Sequence, residues 1–212
     1  MQHDIVSREQ WLAARTRLLA AEKELAKARA AVQAERRRMP WTRVDRSYDF
    51  DTAGGRRSLG ELFEGRGRLI VYHFMFAPEW QDGCPGCSQL ADHFDGMAGH
   101  LPRLDASFAA ISRAPIDKIE DYRRRKGWRF KWASAAPCSF NYDYQVSFPP
   151  EAVERGEGVY GYEPSKIDRA DLPGTSVFAR NEAGEVFHVY SAYGNGGDMP
   201  LTAHYPELLR AL

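Results

Sequence analysis

Two thiols two residues apart, Cys84-Pro85-Gly86-Cys87, are the residues of this chain best suited to chemistry. At that spacing both sulfurs reach one disulfide, so the pair can exchange two electrons with another disulfide. The same spacing serves half of a zinc site, or two cysteines that only pack. Zinc needs two more ligands. Cys138 lies far along the chain, and His93, on the helix that follows, brings the local set to three. All three readings remain at this point. No metal is expected, and a redox dithiol needs no cofactor.

The elements that must position the pair are legible around it. Leu69 to Phe76 is almost uninterrupted in branched and aromatic residues, the pattern of a strand buried on both faces. Ala77 to Gly83 form a polar connection, and Ser88 to Phe94 continue with helical spacing. Cys84 then falls near the N-cap, Pro85 at the first helical position and Cys87 one turn on. Free amides and the positive end of the helix dipole favour a thiolate there. The amides of Gly86 and Cys87 face the first sulfur, because Pro85 carries no N–H. Trp80 either covers one side of the site or is a half-buried core aromatic, and Asp82 opposes a thiolate if it points inward.

Further along, Ser107–Ser112 reads as a second buried strand, and Pro115–Tyr122 as the start of a helix ending near Gly127. Thr175–Ala179 and Glu185–Tyr190 flank a turn and read as a hairpin. Upstream, Trp41 to Phe50 is extended, residues 51–55 turn, and Ser58 caps a short helix over Leu59–Phe63. The order is that of an α/β sheet with a crossover.

Before all this comes a long helix. Ser7 and Gln10 form a capping box, and the helical pattern runs to Arg38 and stops at Pro40. Trp11, Leu18, Leu25 and Val32 recur every seven residues, with Ala14, Ala21 and Ala28 between them and Leu12 and Leu19 widening the stripe. A helix of this length spans roughly 45–50 Å. It either lies on its own domain or forms a dimer seam. The expected organisation is a helical arm over residues 1–40 and an α/β domain over 41–212.

Composition narrows the function. The 212 residues are 43% hydrophobic with zero formal net charge, which speaks against a nucleic-acid binder or a membrane-surface protein. The longest apolar run, at 69–76, is far too short to span a bilayer, and Met1-Gln2-His3-Asp4 opens no secretory signal. A cytoplasmic protein with a transient disulfide is expected. Between Tyr122 and Trp132 basic and aromatic residues interleave, read as a basic helix end with tryptophan anchors. His73 reads as a satisfied core histidine, Cys138 as a free loop cysteine, and Asn195-Gly196-Gly197-Asp198 as a turn.

The run Tyr72-His73-Phe74-Met75-Phe76-Ala77-Pro78-Glu79-Trp80 with Gly83–Ser88, together with Trp11–Arg15 and Phe140–Tyr144, resembles the bacterial family catalogued as domain of unknown function 899. The order from Trp41 to about Tyr190 is similar to the thioredoxin-like fold in its peroxiredoxin-type elaboration. That resemblance implies a mixed sheet flanked by helices, an attacking Cys84, a resolving Cys87, and a cis-proline at Pro173 beside them; an ordinary trans turn proline at Pro173 is equally open. It implies a thiol–disulfide oxidoreductase acting on a disulfide-containing protein or a small oxidant. The alternatives are a thiol peroxidase and a non-catalytic dimerisation module. Peroxiredoxins place a proline and a hydroxyl residue seven and three positions before the reactive cysteine. Here those positions hold Ala77 and Gln81. Arg113 and Arg180 are candidates for an activating guanidinium.

Overall fold

The computed structural model describes residues 3–194. It divides into two units, one ending at Met39 and the other beginning at Pro40. The first is built on helix α1, Arg8–Arg36, opened by the Ser7–Gln10 capping box. The Gln10 amide donates to Ser7 Oγ at 3.2 Å, and the Ser7 amide donates to Gln10 Oε1 at 3.0 Å. Trp11, Leu18, Leu25 and Val32 are each about half exposed, as is Leu12.

In the second unit the chain forms β1 (Thr42–Arg43), β2 (Asp49–Thr52), β3 (Gly55–Ser58), β4 (Arg68–His73), α2 (Pro85–Ala98), β5 (Ala106–Ser112), α3 (Ile116–Lys126), β6 (Lys131–Ser134), α4 (Phe140–Asp143), α5 (Pro150–Arg155), β7 (Glu157–Tyr160), β8 (Glu163–Lys166), β9 (Gly174–Arg180) and β10 (Val186–Tyr193). Eight strands make one mixed sheet in the order β1-β10-β9-β4-β5-β6-β2-β3, and β7 and β8 pair by themselves. β4, β5 and β6 run parallel, with helical crossovers α2 and α3, while β9 lies antiparallel on β4.

Alternation along β4 assigns its side chains to two cores. Leu69 and Val71 join Phe50, Phe63, Phe140 and Phe178 on one face. Tyr72 turns to the other face and meets Phe94 of α2 at 4.9 Å between ring centroids. That second layer continues through Phe74 and Trp132, at 4.4 Å, and through Phe76 and Tyr122, at 5.5 Å. β4 is central because every residue from Leu69 to Ala77 is buried, so the apolar run needs cover on both faces.

Several expectations shift in detail. The first strand leaves the ladder after His73, yet Phe74 still donates to the Ile111 carbonyl, at 3.0 Å. The extended segment from Trp41 divides, β1 joining one edge of the sheet and β2 lying near the other. Leu59–Phe63 is a single 3₁₀ turn, Glu61–Phe63, instead of an α-helix. Ser58 still bonds Glu61 as a cap, but it also ends β3, and too few residues remain for a second helical turn. The basic-aromatic stretch is indeed a helix end, closed by Gly127 in the left-handed region, φ 74°. It then becomes β6, with Trp128 and Trp132 buried. Residues 195–198 lie outside the described residues.

Candidate active site

Cys84 is the N-cap of α2 and Pro85 its first residue. The helix starts there because the chain arriving from β4 is pinned at several points. The Cys84 amide donates to the Met75 carbonyl at 3.0 Å, and the Cys84 carbonyl accepts from the Ser88 amide and from Ser88 Oγ, each at 2.9 Å. Ser88 Oγ also bonds Tyr122 of α3 at 2.9 Å. Gly83 is buried where a Cβ would come within 2.6 Å of Phe74 Cε1 and 3.0 Å of Tyr122 Cε1, so only glycine passes there without displacing a ring. Lys118 clamps the preceding loop by donating to the carbonyls of Pro78 and Trp80, at 2.6 and 2.9 Å.

The two sulfurs sit in different surroundings. Cys84 is partly exposed and Cys87 is 3% exposed, both as free thiols. The Cys87 thiol donates toward the Cys84 sulfur and is the chief reason that the Cys84 pKa falls to about 5. The amides of Cys87 and Gly86 add to this, as does the charge of Arg169, against the opposing effect of burial. Cys87 is driven the opposite way, first by that same hydrogen bond and then by burial. The Tyr72 hydroxyl and the Met75 amide oppose its rise only in part. One sulfur is thus an accessible thiolate at neutral pH and the other a protonated, shielded thiol.

The remaining candidates divide. Asp82 does not face the thiolate. It is exposed, and its Oδ1 accepts from Arg125 Nη2 at 2.6 Å, which neutralises the expected repulsion. Trp80 is half-buried in the loop, held by its backbone. Of the cis and trans states open to Pro173, the structure has the trans one. No cis peptide bond occurs among the described residues, so the Leu172–Pro173 bond is trans, the ordinary state of an X–Pro bond. Its carbonyl accepts from the Tyr160 hydroxyl at 2.6 Å.

Of the two arginine candidates, Arg180 is at the wrong end of the sheet. Register pairs Ala179 with Arg68, whereas Gly174 pairs with His73. Arg180 is thus roughly 15–20 Å of strand away from the end of β4 that leads to Cys84, at about 3.3 Å per residue. Arg113 lies at the correct end of β5 but is committed to Asp171, at 2.7 Å, and to the Tyr142 hydroxyl, at 3.2 Å. A small cationic pull on Cys84 comes instead from Arg169, paired with Asp168 at 2.8 Å. Nothing in its local sequence marks it, since loop folding alone brings it near. His93 donates through Nδ1 to the Gln89 carbonyl at 2.9 Å. Among the described residues no three acidic, histidine or cysteine side chains gather as a metal site.

His73 is fully buried, with Nε2 2.8 Å from Ser176 Oγ, and burial lowers its pKa to about 3. It faces the core opposite Tyr72, stacked on Phe140. Cys138 is half-buried with its thiol pushed up by burial. No described helix is long and apolar enough to cross a membrane.

A mixed sheet of this order, with helices α2 and α3 as its crossovers, is a thioredoxin-like fold in its peroxiredoxin-type elaboration. Solved structures agree on the fold. Peroxidoxin BcpB from Mycobacterium tuberculosis is similar with a TM-score of 0.54 and 16% identity, covering 82% of this chain and 96% of its own. The bacterioferritin comigratory protein of Xanthomonas campestris, described for its alkyl peroxide reduction activity, is similar at 0.52 and 13% identity, over 77% and 88%. Residues 1–208 match the family described as bacterial protein of unknown function (DUF899), and the chain belongs to it. No curated protein matches the chain in sequence.

Proposed function

We propose that this protein is a thiol–disulfide oxidoreductase working through Cys84 and Cys87. The observation that carries the reading is the opposed ionisation of two neighbouring thiols, one partly exposed and lowered to about 5, the other buried and raised. The Cys84 thiolate attacks one sulfur of a substrate disulfide. A Cys84–substrate bond forms, the substrate disulfide breaks, and the first substrate thiolate leaves. Cys87 then loses its proton and attacks Cys84 Sγ, and the second substrate thiolate leaves. Two electrons pass to the substrate, and an external dithiol reductant restores the pair. The substrate is a disulfide-containing protein or a small oxidant, and the expected setting is the reducing cytoplasm.

Peroxide reduction is the second reading, favoured by the fold shared with peroxiredoxins. Against it stand the buried Ala77 and the exposed Gln81, which supply neither the proline nor the hydroxyl at the peroxidase positions, and the engagement of Arg113 with Asp171. For α1, the half-exposed stripe of Trp11, Leu18, Leu25 and Val32 supports a seam with a second copy of the chain.

The test uses reduced protein in a Cys138→Ala background, mixed with hydroxyethyl disulfide or with hydrogen peroxide and followed by peptide mass mapping. The expected result is rapid formation of a Cys84–Cys87 disulfide from the organic disulfide, and none in Cys84→Ser with its circular dichroism unchanged. Equal consumption by Cys84→Ser refutes the reading. Peroxide outpacing the organic disulfide by orders of magnitude selects the peroxidase.

A further inference from the structure

The resolving step sets a problem that the two cysteines do not solve alone. Once Cys84 is in a mixed disulfide it no longer accepts the Cys87 proton as a hydrogen bond. Cys87 must then ionise in a place that is 3% exposed, where an uncompensated charge is costly. The groups that act on its sulfur are Cys84, the Tyr72 hydroxyl and the Met75 amide, and none of them is a carboxylate.

Tyr72 is placed for this task. It is fully buried on β4, under the inner face of α2 that carries Cys87, Ala91 and Phe94. Its ring is fixed edge-on between Phe94, at 4.9 Å, and Phe74, at 6.0 Å. Its hydroxyl is buried with no conventional hydrogen-bond partner. The neighbour it meets is the Cys87 sulfur. A buried hydroxyl left to a thiol alone is a stability cost that a phenylalanine would remove.

Resting on the dithiol reading above, we propose that the Tyr72 hydroxyl, with the Met75 amide, donates a hydrogen bond to the Cys87 thiolate during the resolving step. Burial pushes the Tyr72 phenol well above its ordinary range, so it stays protonated and acts as a donor, never as the base. The Cys87 proton is released to solvent, from which the departed first substrate thiolate is protonated, so the step is proton-neutral overall. Cys87 Sγ then bonds Cys84 Sγ, the Cys84–substrate bond breaks, and the second substrate thiolate carries off the electron pair. Tyr160 does not compete for the role, because its hydroxyl donates to the Pro173 carbonyl and accepts from the Gly194 amide at 2.7 Å.

Tyr72→Phe keeps the ring and removes the donor. The full-length variant is mixed with hydroxyethyl disulfide, quenched in acid at intervals and read by intact mass, with Cys87→Ser as the reference that cannot resolve. Attack by Cys84 is expected to stay within about twofold of wild type. The mixed disulfide is expected to live about tenfold longer or more, the scale of one lost hydrogen bond to a charged acceptor. A wild-type lifetime, or equal slowing of both steps, overturns the proposal. If Tyr72→Phe does not fold, 3-fluorotyrosine at position 72, a stronger donor, must shorten the lifetime, and an unchanged lifetime is again fatal. If Cys87→Ser, which cannot resolve, forms no mixed disulfide, the dithiol reading falls as well. Normal resolution in both wild type and Tyr72→Phe sinks the role of Tyr72 alone.

Discussion

Replacing Cys87 by alanine removes the largest single influence on the Cys84 thiolate and leaves the helix start, the Met75 contact and Arg169 in place. A hydrogen bond to a charged group contributes about 1.5–3 kcal/mol, and each pKa unit corresponds to about 1.36 kcal/mol. The Cys84 pKa, about 5 in the native protein, is therefore expected to rise by roughly one to two units in Cys87→Ala. At pH 5.5 the native thiol is mostly ionised, whereas the variant thiol is mostly protonated, so the gap in reactivity opens below neutrality and closes above about pH 8. The assay is the rate of iodoacetamide alkylation of Cys84 from pH 4 to 9, in a Cys138→Ala background. Arg169→Ala provides the scale of a solvent-screened charge, because the Arg169 side chain is 54% exposed. It is expected to move the midpoint by less than about half a unit. The reasoning fails if wild type titrates near an ordinary thiol, or if Cys87→Ala titrates where wild type does.

Three other outcomes follow from the packing. Gly83→Ala drives a Cβ into Phe74 and Tyr122 and is expected to cost about 1–3 kcal/mol in urea unfolding; an unchanged midpoint would show that the rings yield freely. His73 is neutral when folded, with a pKa near 3, while its unfolded pKa is the ordinary 6.5. Its contribution to stability is complete above about pH 6.5 and is lost as pH falls toward 3, at up to one proton or about 1.4 kcal/mol per pH unit. His73→Phe should flatten that part of the urea-stability profile, and an equal slope in the variant would remove His73 as its source. Leu18→Glu with Leu25→Glu places charges in the α1 stripe and should convert a dimer to a monomer by light scattering; a variant that stays dimeric excludes the α1 seam.

The parts of this protein that could be read in advance rest on signals within a few residues of one another. Ser7 and Gln10 cap α1, the apolar run at 69–76 makes a buried strand, Pro85 starts α2 at Cys84, and Gly127 stops α3. Each is local backbone chemistry, so neither the α/β class nor the position of the dithiol at a helix start needed tertiary contacts to be seen. β3, β6 and the β7–β8 pair were hidden because they are only four residues each, and two of the four, β3 and β8, are mostly exposed. Lys131–Ser134 looks like the tail of a basic helix until β5 offers it a parallel edge. Charges were the least legible. Asp82 is neutralised by Arg125, Arg113 is taken by Asp171, and Arg169 reaches Cys84 from a distant loop. Electrostatic influence depends on distance in space and on exposure, and neither is written in spacing along the chain. The sequence places Cys84 at the helix start and Cys87 one turn on, but the depth of their contrast, a partly exposed thiolate against a buried thiol over Tyr72, comes only from the packing of α2 on β4.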